Sequence, residues 1–207
     1  MGDAMGYIVK RTVTLKIDKG DEEDFLEYLE RKLESVDYSY RFKEGGQLVI
    51  NVFGDAKETS SLVRRIRIAY RDFYLIKGGR GKYKRYPITW VQEIGPGVPL
   101  YLIEKVVSAL GSKITRKKDL FITTMAKDDF VETILELRQI LDEARPIIAQ
   151  RNVRDVMIVA SMLSGESVLE LLDKALEDGL IEEVDNIYYL RKDPETIIRA
   201  LTSQKKG

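Results

Sequence analysis

Tyr38 to Phe53 reads YSYRFKEGGQLVINVF, and this segment constrains the architecture more than any other. Two strand-forming runs, Tyr38 to Lys43 and Gln47 to Phe53, flank Gly45-Gly46. The glycine pair supplies the positive φ angles that a tight turn needs, so the segment is a β-hairpin. Upstream, Tyr7 to Ile17 alternates Ile8, Lys10, Thr12, Thr14 and Lys16 with Val9, Val13, Leu15 and Ile17, the period of a strand. Asp18-Lys19-Gly20 then turns the chain. A helix over Asp21 to Ser35 follows, with acids in its first turn and an apolar stripe of Phe25, Leu26, Leu29 and Leu33. Downstream, Asp55 to Ile76 is a long helix. The order is strand, helix, hairpin, helix: a βαββα unit.

The same order recurs. Val98 to Leu110 is a helix closed by Gly111. Lys113 to Lys117 and Leu120 to Thr124 make a hairpin around Lys118-Asp119, and Lys127 to Ala144 is a second long helix, halted by Pro146. The missing first strand would be Tyr86 to Ile94. Ile88, Trp90 and Ile94 suit a strand, whereas Ile88, Val91 and Ile94 suit a short helix, which would make the second unit ααββα. The tail differs. Val153 to Leu163 is helical, Ser167 and Glu170 form a capping box for the next helix, a hairpin turns at Asp185-Asn186, and Asp193-Pro194 starts a last helix. Helix, turn, helix, hairpin, helix is the order of a winged helix-turn-helix. The expected class is therefore α+β: two βαββα-type units related by duplication, followed by a small winged-helix-like module. The expected divisions are residues 1–76, a basic linker at 77–85, a second unit at 86–146 and the tail module at 152–203.

Composition removes several chemistries. The 207 residues include no Cys and no His, which excludes disulfides, thiol nucleophiles, thiolate metal sites and the commonest general base. No Walker A loop occurs: Gly81-Lys82 is followed by Tyr83, and the run follows a helix, not a strand. Asp128-Asp129 near a helix start is explained by the helix dipole. No cofactor, catalytic constellation or metal site is selected, though a site for Mg²⁺ built from carboxylates alone stays open because such ligands come from scattered positions. No apolar run approaches the roughly 20 residues that span a bilayer, and the N-terminus lacks a signal-peptide pattern. The expected location is the cytoplasm.

Charge is the functional clue. Lys plus Arg and Asp plus Glu are equal at 34 each, yet Val63 to Arg85 holds Arg64, Arg65, Arg67, Arg71, Lys77, Arg80, Lys82, Lys84 and Arg85 against Asp72 alone. On the long helix, Leu62, Ile66, Ala69, Phe73 and Ile76 point one way, and Arg64, Arg67 and Arg71 point the other. Guanidinium forks spaced three and four residues apart suit phosphate oxygens. Lys77, Arg80, Lys82, Lys84 and Arg85 continue the run through three glycines, and Arg116, Lys117 and Lys118 would extend it from the second hairpin. Tyr83, Tyr86 and Trp90 lie close by for stacking on unpaired bases. The expectation is a non-catalytic nucleic-acid-binding protein, with RNA or single strands favoured over duplex DNA. The tail argues the other way. From Glu166 to Asp185 eight acids face one base, Lys174, so its second helix would be repelled by phosphate. The alternative is a protein–protein adaptor or assembly subunit with an acidic interaction module.

Val98-Pro99 through Leu110-Gly111, the hairpin ending Ile122-Thr123-Thr124, the helix from Lys127 and the segment Glu177-Asp178-Gly179-Leu180-Ile181 together resemble a conserved archaeal, crenarchaeal-type, protein family of unknown function. The resemblance implies an archaeal, thermophilic source, consistent with the richness in charged residues. It implies no activity and no site residues.

Overall fold

The computed structural model describes residues 8–33, 36–78 and 81–203, in two compact units, Met1–Gly78 and Gly79–Gly207. The first unit contains β1 (Val9–Lys16), α1 (Glu22–Lys32), β2 (Tyr38–Lys43), β3 (Gln47–Gly54) and α2 (Ala56–Lys77). Gly45 and Gly46 turn the hairpin at φ 77° and 74°. Gly46 has a second duty. Ile17 N–H donates to its carbonyl at 2.8 Å, and a Cβ there would stand 2.5 Å from the Ile17 carbonyl oxygen. The turn is thereby pinned against the end of β1.

Strand β3 lies between β1 and β2 and is antiparallel to both. Val13, Leu15, Leu48, Ile50 and Val52 point from one face of this sheet into a core with Phe25, Leu29, Leu62, Ile66 and Phe73. The two helices cover that face. Helix α2 starts at a capping box: Asp55 Oδ1 accepts from Lys57 N–H at 2.7 Å and Glu58 N–H at 2.8 Å, and the Glu58 carboxylate accepts from Asp55 N–H. At its other end Tyr70 Oη donates to the Lys16 carbonyl at 2.7 Å, and Asp18 N–H donates to Tyr74 Oη at 2.9 Å. These two tyrosines fasten α2 to the end of β1.

The second unit begins with β4 (Lys84–Pro87), α3 (Ile88–Ile94), α4 (Leu100–Ala109), β5 (Ile114–Lys117), β6 (Leu120–Thr123) and α5 (Lys127–Ala144). Strand β6 is central, between β4 and β5, so both sheets place the second hairpin strand in the middle. The ambiguity over Tyr86 to Ile94 resolves into both readings in turn. A short strand ends at Pro87, and a two-turn helix buries Val91 between half-buried Ile88 and Ile94.

The remaining elements are α6 (Arg151–Ser164), α7 (Val168–Glu177), β7 (Ile181–Val184), β8 (Ile187–Leu190) and α8 (Pro194–Thr202). Gly165 ends α6 in the left-handed region at φ 72°, and the Ser167–Glu170 capping box opens α7. Helix α6 is apolar on nearly every side and packs against α4, α5, α7 and α8. One hydrophobic cluster runs from Tyr86 to Leu201. Among the described residues no helix is long and apolar enough to cross a membrane.

Candidate nucleic-acid interface

The cations of the central stretch divide into engaged and unengaged groups. Arg71 turns onto its neighbour: its Nε and Nη2 donate to Asp72 Oδ1 at 2.9 and 2.8 Å. Asp72, the one acid of the stretch, is buried, so Arg71 compensates an interior carboxylate. Lys77 Nζ donates to Asp21 at 2.7 Å and to Asp24 at 3.1 Å. Those hydrogen bonds raise the ammonium's pKa and hold it against α1. Arg65 caps the end of α1 by donating to the Lys32 carbonyl. The row of three guanidinium groups expected on α2 thus shortens to Arg64 and Arg67. Both are exposed and neither has an ion-pair partner among the described residues.

In the second unit β4 and β5 bring Arg85 and Lys117 onto one surface. Arg85 lies opposite Ile122, which lies opposite Thr115. Lys117 lies opposite Leu120, which lies opposite Pro87. Directly opposed residues share a sheet face, so Arg85, Thr115, Lys117, Leu120 and Ile122 form one side, and no carboxylate stands among its strand residues. From strand spacing and rise, Arg85 and Lys117 are separated by about 12 Å across the half-buried Leu120 and Ile122. Lys118 follows in the hairpin turn at φ 51°. Lys82 and Tyr83 lead into β4 and are exposed. Lys82, Arg85, Lys117 and Lys118 have no ion-pair partner among the described residues.

The other face of this sheet is core, which corrects three expectations. Tyr86 is 1% exposed. Its ring stacks on Phe130 at 4.7 Å, and its Oη donates to the Met125 carbonyl at 3.2 Å. Burial, reinforced by Asp128 and Asp129, pushes its hydroxyl up to about 12. A ring so enclosed cannot stack on a base. Trp90 is half-buried beside it, ring centroids 5.4 Å apart, and belongs to the same core. Arg116 has the parity of the core face and pairs with Glu104 at 3.8 Å. Lys84 shares that parity and is half-buried. Arg80 lies outside the described residues. Of the three stacking candidates, only Tyr83 presents a free ring.

A polar cluster at α6 has no counterpart among the sequence expectations, because its members come from two helices and carry no local motif. Asp155 is buried; it accepts from Tyr101 Oη at 3.0 Å and lies 3.6 Å from Lys105 Nζ. Arg151 stacks over the Tyr101 ring at 4.1 Å while its Nε donates to the same Tyr101 oxygen at 2.9 Å. Beside it a concavity of about 790 Å³ runs between α4, α6 and α8. Among the described residues no three carboxylates are grouped to hold a metal ion.

No curated protein and no solved structure matches this chain. A family model described as an uncharacterized protein conserved in archaea (DUF2067) matches residues 15–199, most of the chain's length. The chain therefore belongs to that archaeal family.

Proposed function

We propose that this protein binds single-stranded nucleic acid, RNA foremost, without catalysing a reaction on it. Phosphates are held by Arg64 and Arg67 on α2 of the first unit, and by Lys82, Arg85, Lys117 and Lys118 around the open sheet face of the second. Tyr83 offers the stacking ring. One observation carries this reading. These six cations are exposed and have no carboxylate partner among the described residues, although the whole chain has as many acids as bases. Ion pairing would be the simplest way to neutralise them, and several other cations are paired in that way: Lys77, Arg145, Lys174 and Arg191 all have acids in reach. A cation kept free beside others repels them unless an anionic partner arrives.

Fluorescence anisotropy with a labelled oligouridine tests the assignment. Arg64→Glu with Arg67→Glu, and separately Arg85→Glu with Lys117→Glu, should each weaken binding at least tenfold with unchanged circular dichroism. Wild-type affinity in both double variants removes the assignment.

A second reading, an adaptor with an acidic interaction module, has its own support. Leu169 on α7 is exposed, as are Val184, Ile187 and Tyr189, which share one face of the β7–β8 hairpin, amid the acids of Glu166 to Asp185. On this reading the winged-helix-like order of the tail serves protein contact. Light scattering and co-purification separate the two: a defined protein complex free of nucleic acid favours the adaptor.

A further inference from the structure

The first unit has an open sheet face of its own, on the side away from α1 and α2. Strand register assigns its occupants. Lys10, Thr12, Thr14 and Lys16 of β1 lie opposite Phe53, Asn51, Val49 and Gln47 of β3, and these in turn lie beside Ser39, Arg41 and Lys43 of β2. Four of these residues are cationic and none is acidic. Asp18, Asp37, Glu44 and Asp55, the nearest acids in sequence, fall outside the strands. Lys10, Lys16, Arg41 and Lys43 are exposed, and none makes an ion pair among the described residues. From strand geometry the face is about 20 Å along β1 and about 10 Å across three strands.

Its middle is polar and organised apart from Val49, which is buried. Thr12 Oγ1 donates to Asn51 Oδ1 at 2.8 Å, and Asn51 Nδ2 reaches Ser39 Oγ at 3.5 Å. A row of hydrogen-bonding side chains thus crosses all three strands. At one end Phe53 exposes its ring with Lys10 Nζ 5.9 Å from its centroid, so a cation and an aromatic surface are offered together. Cations around a polar floor, with a ring at the edge, match the chemistry of an unpaired strand: phosphates for the cations, sugar and base edges for the floor, a base for the ring. The sheet of the second unit leaves the corresponding face open, and it too is basic with no strand carboxylate.

We infer that this face is a second binding surface for single-stranded RNA, distinct from the arginines of α2, which lie on the other side of the sheet. The inference rests on the nucleic-acid reading above. On this inference Arg41 and Lys43 hold phosphates from the β2 edge, Lys10 and Lys16 hold them from the β1 edge, and Phe53 stacks.

The test uses the full chain and labelled oligouridine, with the thymidine oligomer as a second probe. Arg41→Glu with Lys43→Glu should weaken oligouridine binding at least tenfold, and Phe53→Ala about fivefold or more. All three positions are exposed, and circular dichroism should not change. If these variants bind like wild type while Arg64→Glu with Arg67→Glu binds weakly, the sheet face is discarded and the main reading stands. If wild type binds neither oligomer, both fall. If the sheet variants alter the molar mass by light scattering and leave RNA affinity untouched, the face is a protein contact and the inference is overturned.

Discussion

Arg64, Arg67 and Arg71 carry the same side chain on one helix, and their surroundings give them different work. Arg71 sits against buried Asp72, so Arg71→Ala should cost about 1–3 kcal/mol by leaving a desolvated carboxylate underpaired. Arg64→Ala and Arg67→Ala should stay within about 0.5 kcal/mol of wild type. Urea unfolding of the three variants checks the split. Tyr86 makes a second residue-scale prediction. Its hydroxyl titrates near 12 in the fold and about 10 in the unfolded chain. The unfolded state therefore releases the proton first, so the contribution of Tyr86 to stability is fully present below pH ~10 and is lost as pH rises towards ~12. Wild type should lose about 2–3 kcal/mol more than Tyr86→Phe over that window. Parity on a helix or strand is readable from sequence, so the helical period puts Arg64 and Arg67 opposite the apolar stripe of α2, where the fold has them. Pairing is not readable, because Lys77 meets Asp21 and Asp24 across more than fifty intervening residues. Tyr86 misleads for a related reason. A tyrosine among lysines and arginines looks solvated, yet in a strand its neighbours Arg85 and Pro87 face the opposite way.

Elements are the most legible level. The α+β class, the glycine hairpin, the capping box of α7 and the proline start of α8 follow from local chemistry that tertiary packing does not override. Tyr86 to Ile94 is illegible as one element because it is two, changing period at Pro87. The hairpin glycines give a test at this scale. Gly45 and Gly46 share a positive φ, but only Gly46 is crowded by the Ile17 carbonyl. Gly45→Ala should cost about 1 kcal/mol from backbone strain alone. Gly46→Ala should cost at least twice that, since backbone must move. Ser167→Ala removes one half of a capping box and should cost about 1 kcal/mol. Equal losses for the two glycines in urea unfolding would contradict the pinning of the hairpin to β1.

At the scale of the molecule, zero net charge conceals an uneven distribution. Basic surfaces without acids lie on α2 and on the open face of each sheet, and acids collect along α7 and the β7–β8 hairpin. The segregation is visible in the sequence, but which cations the fold pairs off is not. The sheet faces are hidden at that level, because they join residues from β1, β2 and β3, or from β4, β5 and β6, that no single segment contains. If the free cations meet phosphate, affinity must depend on salt through counterion release. The decisive measurement is oligouridine affinity against salt concentration, for wild type and for the variant combining Arg64→Gln, Arg67→Gln, Arg85→Gln and Lys117→Gln. Phosphate binding by these four side chains predicts a linear log–log decline for wild type. For the variant it predicts at least tenfold weaker binding, with a slope shallower by about 0.7 for each phosphate no longer neutralised. A variant with wild-type affinity and an unchanged slope would contradict phosphate binding at these positions.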